Sequence, residues 1–329
     1  MVCGCATGKS GRVDAVIERH RGLLERVLPG ARLSELRVCA GQFHYLVIGA
    51  DSVVCLARTA AAAARLPLRA AALRAVAGLE LGAVQGFRGH RPSAPSDDVS
   101  RGESPCALPT TSVNSRRIAV PRVVDLSDDP AYLVMTRVGG EPLAASLLGD
   151  ARVVEAVARQ CHVLLSALSA AGADQQLRAA LPSAPADRWI RFAADVRAEL
   201  YPLMSAGGRA RAGRELAALD TLPHRTEAIV HGDLGGENLL WDNDTRSPIL
   251  CGVVDWDGVC LGDPAEDFAA VAASYGEEVL ETILQTTEHA DELAPRIAAI
   301  RGTFALQQAL DAHRDGDADE LADGLTGYR

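Results

Sequence analysis

The chain of 329 residues and 34.6 kDa is 48% hydrophobic and 23% charged, the balance of an ordinary globular protein long enough for two lobes. Its eight cysteines, at positions 3, 5, 39, 55, 106, 161, 251 and 260, show no CxxC spacing, which argues against a zinc site or a disulfide framework. The formal net charge of -10 gathers at one end: residues 255–329 carry 4 basic and 17 acidic side chains, a bias that repels nucleic acid and suits either a cationic ligand or a solvated face.

The first twelve residues, with no basic patch followed by an apolar run, read as a flexible tail. Gly8-Lys9-Ser10 inside it lacks both the preceding strand and the glycine spacing of a phosphate-binding loop. Residues 35–58 contain three β-rich runs, ELRVCA, HYLVIG and SVVCLAR, punctuated by Gly41 and Gly49-Ala50-Asp51, so an antiparallel meander is expected. A helix over 59–77 follows, with a break or second start near Pro67. Arg65, Arg69 and Arg74 interrupt this Ala/Leu-rich stretch, so no membrane span is expected, and the chain reads as cytoplasmic. Residues 88–117, dense in Ser, Pro, Gly and Arg, read as a disordered loop. Strand signals return at 118–124 and 131–138, and Gly139-Gly140-Glu141-Pro142 then reads as a hinge closing a first lobe of residues 13–138.

The remainder, residues 139–329, reads as a mainly helical second lobe. Val154, Val157, Cys161, Leu164, Leu165 and Leu168 recur at helical spacing, and similar patterns cover 187–204, 208–220, 264–275 and 293–313. One strand-loop-strand island interrupts them, AIVHGDLGGENLLW to ILCGVVDWD. The class is therefore α+β, an antiparallel sheet lobe followed by a helical one.

That island carries the chemistry. Phosphoryl transfer needs a carboxylate beside the attacking hydroxyl and oxygen ligands that hold magnesium against nucleotide phosphates. In His231-Gly232-Asp233-Leu234-Gly235-Gly236-Glu237-Asn238 the spacing from Asp233 to Asn238 is that of a kinase catalytic loop. Asp255 ends the apolar run from Cys251, so a buried strand delivers a carboxylate to the rim where a metal ligand is wanted.

Through Val230 to Leu234, Asn238 and VVDWDGVCLGDPAEDFA at 253–269, the chain resembles the aminoglycoside phosphotransferase family, whose fold is two-lobed and protein-kinase-like. Within that family it looks most like members acting on viomycin and capreomycin, on the strength of GQFHYLVIG, VVCLART, HGDLGGENLLW, GDPAEDFAA and the tail from Phe304 to Arg329. The likeness spans nearly all of the chain outside residues 1–12 and 88–117. It implies an enzyme that moves the γ-phosphate of ATP, with Mg2+, onto a hydroxyl of a cationic cyclic peptide antibiotic, with no nucleic-acid or membrane partner. The alternatives are a kinase for an aminoglycoside or another amine-bearing molecule, and a non-catalytic kinase-like binding module.

Carried over residue by residue, the resemblance makes Asp233 the catalytic group and Asn238 with Asp255 the metal ligands, and gives His231 a loop-organising role. Gly41, Gln42, Phe43 and His44 fall where the family's nucleotide-covering loop lies, and main-chain groups of Thr136 and Val138 should meet adenine. The chain departs from the family at the third strand: its only lysine is Lys9, and Arg58 falls where a phosphate-gripping lysine is usual. The usual acidic partner on the next helix is missing as well, since residues 59–79 contain no Asp or Glu. Asp257 and Glu266 are candidates to face the substrate or to support the loop. Asp311 and Asp315, in the acidic tail, read either as recognition of a cationic acceptor or as a solvated end.

Overall fold

The computed structural model describes residues 10–41, 43–86, 114–243 and 247–329. Helices α1 (Ser10–Arg19) and α2 (Arg21–Val27) come first, so the expected tail of residues 1–12 is already helical at Ser10, and residues 1–9 lie outside the described residues. Strands β1 (Arg37–Ala40), β2 (His44–Ile48) and β3 (Ser52–Ala57) form the expected meander, with Leu46 opposite both Cys39 and Cys55. The Thr59 hydroxyl accepts from Ala62 N and opens α3 (Ala60–Val76). Pro67 does not break that helix. It lies on the exposed face, where a missing N–H is tolerated, while Leu66, Ala70, Leu73 and Val76 bury the opposite face and keep both halves on one axis.

Strand β4 (Ala83–Gly86) pairs with β5 (Asn114–Arg117), so the expected loop ends before Asn114, and residues 87–113 lie outside the described residues. The strand expected over 118–124 is instead an extended link through Pro121, which has no N–H for a ladder; Ala119 bridges to Gly252 in the second lobe. The ladder proper begins at β6 (Val123–Asp128), which pairs with β7 (Ala131–Thr136), and β7 pairs with β3 to complete a five-stranded antiparallel sheet of order β1-β2-β3-β7-β6.

Successive strand residues point to opposite faces, and this sheet is covered on both. Val47, Val54, Leu56, Tyr132 and Val134 pack outward against Val16, Ile17, Leu24 and Leu28 of the first two helices. Cys55, Leu133 and Met135 face inward with Leu66, Ala70 and Leu73 of α3.

The chain leaves the sheet at Thr136 and passes through Gly139-Gly140 into β8 (Glu141–Pro142). Asp150 then caps α4 (Ala151–Ala171), accepting from Arg152 N. All six apolar residues expected on its inner face are buried, the valines and leucines among them each worth about 1.5–3 kcal/mol on the usual transfer scale. This helix is long and apolar enough to cross a membrane, but here it is the central helix of the second lobe. Helices α5 (Gln175–Ala180), α6 (Arg188–Asp195) and α7 (Ala206–Leu219) follow, α6 running on through a π-helical turn to Leu200.

Two hairpin-like pairs make the island: β9 (Ala228–Val230) with β12 (Cys260–Gly262), and β10 (Leu239–Asp242) with β11 (Ile249–Val253). The other edge of β10 takes β8, so the segment expected as a hinge is stitched into the second lobe. Gly140 makes this possible: its φ is +103°, and a Cβ there would meet Trp241 O at 2.9 Å and Trp241 N at 3.0 Å. Helices α8 (Ala265–Tyr275), α9 (Glu277–Leu284), α10 (Ala290–Arg301), α11 (Phe304–Asp315) and α12 (Ala318–Gly324) close the lobe. The single helix expected over 293–313 is two, broken at Gly302-Thr303, where the Thr303 hydroxyl donates to Ile300 O.

Candidate active site

At the end of β9 the chain turns through His231-Gly232-Asp233. Gly232 takes φ +84°, and a Cβ on it would lie 2.8 Å from Gly258 O, so the turn requires glycine. Asp267, in the first turn of α8, pins this turn: its Oδ2 accepts from His231 N at 2.8 Å and its Oδ1 from Gly232 N at 3.1 Å. Burial pushes the Asp267 carboxyl up to about 7, against the opposing pull of those two N–H groups.

His231 is fully buried. Its Nε2–H donates to Val254 O at 3.0 Å, Nδ1 accepts from Asp233 N at 3.3 Å, and the ring meets Trp256 edge-on at 4.7 Å. Burial holds the imidazole below its usual pKa, and with both nitrogens engaged it organises the loop rather than carrying a proton.

Asn238 fixes Asp233 directly, its Nδ2 donating to Asp233 O at 2.8 Å and to Asp233 Oδ2 at 3.2 Å. With the nitrogen so committed, the oxygen is the Asn238 side-chain atom suited to a cation. Val254 N donates to Asn238 O at 3.0 Å and Leu239 pairs with Val253, so Asn238 before β10 and Asp255 after β11 stand at the same end of one hairpin. Asp255 adopts φ +64°, a left-handed conformation uncommon for a residue other than glycine, and its Oδ1 accepts from Arg69 Nη2 at 2.9 Å. An amide oxygen and a carboxylate offered from one end of a hairpin are the hard donors magnesium takes, and with Asp255 Oδ1 bonded to Arg69 its Oδ2 is the oxygen left for the ion, phosphate oxygens and water completing the shell. The site therefore fits the ion.

On the sheet side, Gly41 N donates to His44 O at 2.9 Å and closes the tight turn between β1 and β2; Gln42 lies outside the described residues. Phe43 lies beneath the Arg65 guanidinium at 5.4 Å, and His44 has its Nε2 buried without a hydrogen-bond partner among the described residues. Thr136 spends its N–H on Arg122 O at 2.8 Å and its hydroxyl accepts from Arg122 N, so the main-chain contact expected with adenine falls to its carbonyl. Val138 packs its side chain toward Gly252, in the link between the lobes.

Arg58 stands on the Tyr45 side of the sheet. It follows β3 in the outward parity of Val54 and Leu56, donates from Nη1 to Gly41 O at 2.6 Å and lies over the Tyr45 ring at 5.0 Å. The inward cation is Arg69 of α3, which in the sequence reads only as an interruption of an apolar stretch. The signal that could have found it is the acid-free helix itself, with Arg65 and Arg69 one turn apart.

Of the four acids considered for the substrate, Asp257 instead turns to Arg69, its Oδ1 2.9 Å from Arg69 Nε. Both oxygens of Glu266 accept from Arg188 Nη1, at 2.8 and 2.6 Å, so this acid is spent on an ion pair. Asp311 lines a cavity of about 300 Å³ with Arg188, Trp189, Phe192, Asp195 and Arg314. Asp315 lies one turn beyond it, exposed at the end of α11. Asp263 Oδ1 accepts from Ala265 N at the start of α8, and the carboxylate is also held by Arg296 in a buried pair at 2.9 Å.

Residues 44–302 match the profile described as the phosphotransferase enzyme family. A viomycin phosphotransferase of Streptomyces vinaceus is 54% identical over 315 residues, which cover 95% of this chain and 99% of that protein. Among solved structures, the GDP complex of wild-type aminoglycoside 2'-phosphotransferase-IIIa aligns at a TM-score of 0.71 and 15% identity over 94% of this chain and 96% of that one. A macrolide 2'-phosphotransferase of Brachybacterium faecium aligns at a TM-score of 0.61 and 17% identity over 96% and 98%. At such identities the likeness establishes the two-lobed kinase-like fold.

Proposed function

Because this chain belongs to the phosphotransferase enzyme family, we propose that it transfers the γ-phosphate of ATP to a hydroxyl of a cationic cyclic peptide antibiotic of the viomycin or capreomycin type. The observation that carries the reaction is the convergence of Asp233, Asn238 and Asp255 at one end of the β10–β11 hairpin. The acceptor class rests on the 54% identity to the viomycin phosphotransferase across almost the whole chain.

In this reading the Asp233 carboxylate holds the acceptor hydroxyl and takes its proton as the hydroxyl oxygen bonds to the γ-phosphorus. The bond from that phosphorus to the β,γ-bridging oxygen breaks, and ADP leaves. Asn238 Oδ1 and the Asp255 carboxylate would hold magnesium, which when bound neutralises charge building on the phosphate oxygens. His231 and Asp267 keep the Asp233 turn rigid, so the carboxylate needs no reorganisation as the reaction proceeds. In the cavity lined by α6 and α11, Asp195 is paired with Arg314 at 2.7 Å, which leaves the Asp311 carboxylate, with the Trp189 and Phe192 rings, to meet an amine or guanidinium of such an acceptor.

The test is a steady-state assay with Mg·ATP and capreomycin or viomycin, with the product weighed by mass spectrometry for a single added phosphate. Asp233→Ala should lose at least about 100-fold in kcat, the lower range for a positioned acid–base group. Equal ADP release from both proteins removes Asp233 from the catalytic role, and no phosphorylated antibiotic from the native chain removes the acceptor class.

A further inference from the structure

A kinase-like site needs a fixed cation over the nucleotide phosphates on the sheet side of the cleft. The inward positions of β3 are Val53, Cys55 and Ala57, and none is basic. Arg58, next along the chain, has the opposite parity and is tied to Gly41 and Tyr45. The inward cation arrives from the helix. Arg69 leaves α3 with its side chain only 12% exposed, and its three nitrogens make three different contacts: Nε to Asp257 Oδ1 at 2.9 Å, Nη2 to Asp255 Oδ1 at 2.9 Å, and Nη1 to Cys55 Sγ at 3.8 Å. The small Cys55 side chain leaves room on the inner face of the strand, and the guanidinium occupies it.

Two neighbours point the same way. The buried Nε2 of His44, on the inward face of β2 at the mouth of the covering turn, has no hydrogen-bond partner among the described residues. Arg65, one helical turn before Arg69, lies over Phe43 in that turn. Buried polar atoms are rarely left unpaired without a reason, and His44 shares the inward face of the sheet with Leu46 and Cys55, the latter touched by Arg69.

We propose that Arg69 of α3, held at Nε by Asp257, is the cation that grips the nucleotide phosphates, doing from the helix what a strand lysine does elsewhere. The ion pair of a kinase-like lobe is thereby reversed in polarity: the base stands on the helix and the acid, Asp257, on the loop after β11. An arginine suits that post, since it carries five N–H donors: three go to Asp257, Asp255 and Cys55, and the remaining hydrogens of Nη1 and Nη2 are left for phosphate oxygens. This inference rests on the phosphotransferase reading, and the experiment separates the two.

Binding of adenosine, AMP, ADP and ATP is measured by titration calorimetry with magnesium present, with no antibiotic and no turnover. The native chain should bind more tightly as phosphates are added. Arg69→Gln should bind adenosine as the native chain does but lose about 10- to 100-fold of the ATP affinity, the range for losing hydrogen bonds to a charged group. Normal adenosine binding certifies the fold of the variant. Should Arg69→Gln not fold, Arg69→Lys decides, since a lysine cannot keep Asp257 and the phosphates together and should bind ATP several-fold more weakly. ATP affinity equal to that of the native chain in the folded variant overturns the inference, as does loss of the phosphate-dependent gain in Arg58→Gln with Arg69→Gln unaffected. A native chain that binds no nucleotide refutes the phosphotransferase reading instead.

Discussion

Replacing Asp267 by asparagine tests how much of catalysis resides in holding the Asp233 turn. The carboxylate uses one oxygen for His231 N at 2.8 Å and the other for Gly232 N at 3.1 Å. Asparagine has the same shape but one oxygen, so whichever way the amide turns, its NH2 faces one of the two backbone donors. Leaving a buried donor unpaired costs about 1–3 kcal/mol, which is about 5- to 150-fold if the whole penalty falls on placing Asp233 in the transition state. The assay is kcat and KM for ATP and for the antibiotic at saturating partner, with a thermal melt alongside to show how much of the penalty is spent on stability. Asp267 lies behind the loop, bonded to its main chain, so kcat should fall while KM for ATP stays within about a factor of two, as expected when an interaction is felt only in the transition state. A variant with native kcat and native melting temperature refutes the claim that these two bonds position the catalytic carboxylate.

The same substitution carries a pH signature. Burial raises the Asp267 carboxyl to about 7, so the folded protein holds its proton in a range where the unfolded chain, with a pKa of about 3.9, has lost it. The stability this confers is complete below the unfolded value and disappears as pH rises through about 7; the denaturation midpoint of the native chain should therefore fall relative to that of Asp267→Asn across that window, and parallel curves contradict it. Gly140→Ala forces a Cβ to within 2.9 Å of Trp241 O at φ +103°, and should lower stability by about 1–3 kcal/mol, read from denaturant unfolding. An undisturbed melt means that β8 is not stitched to β10 as described. Added salt should raise KM for the antibiotic while the Kd of uncharged adenosine stays constant, because Asp311 acts through charge; a KM for the antibiotic that does not move with salt argues that this cavity does not meet the acceptor.

Much of the second lobe was legible because its helices are amphipathic over long windows. The α4 residues from Val154 to Leu168 read as one face and are one face. Boundaries failed where a local feature outweighed the periodicity. Pro67 sits inside a helix because the buried side is continuous past it, whereas the apparent strand through Pro121 is denied a ladder by its own proline. Gly139-Gly140 reads as a hinge from composition alone, yet composition does not reveal that Gly140 is glycine in order to approach the Trp241 backbone. The Asp233 to Asn238 spacing was legible for the opposite reason: one tight turn brings together two residues five apart, with no long-range packing required.

The inward cation was hidden by a specific ambiguity. A strand covered on both faces shows no alternation of apolar and polar residues, and VVCLAR is such a strand, so its parity cannot be read from its own letters. Pairing settles it: Cys55 lies opposite Leu46 and Leu133, all three on the α3 side, while Leu56 lies opposite Tyr45 and Tyr132, on the side of the first two helices. Once Leu56 is outward, Arg58 is outward too, and no side chain of the strand remains to meet a phosphate. The absence of any acid from residues 59–79 then changes meaning. An acid on that helix would be needed only to orient a base on the strand; with the base on the helix, the orienting acid belongs across the cleft, where Asp257 stands 2.9 Å from Arg69 Nε. The two apparent departures from the family pattern, a strand without a lysine and a helix without an acid, thus have one account: the base stands on the helix and its acid on the loop after β11.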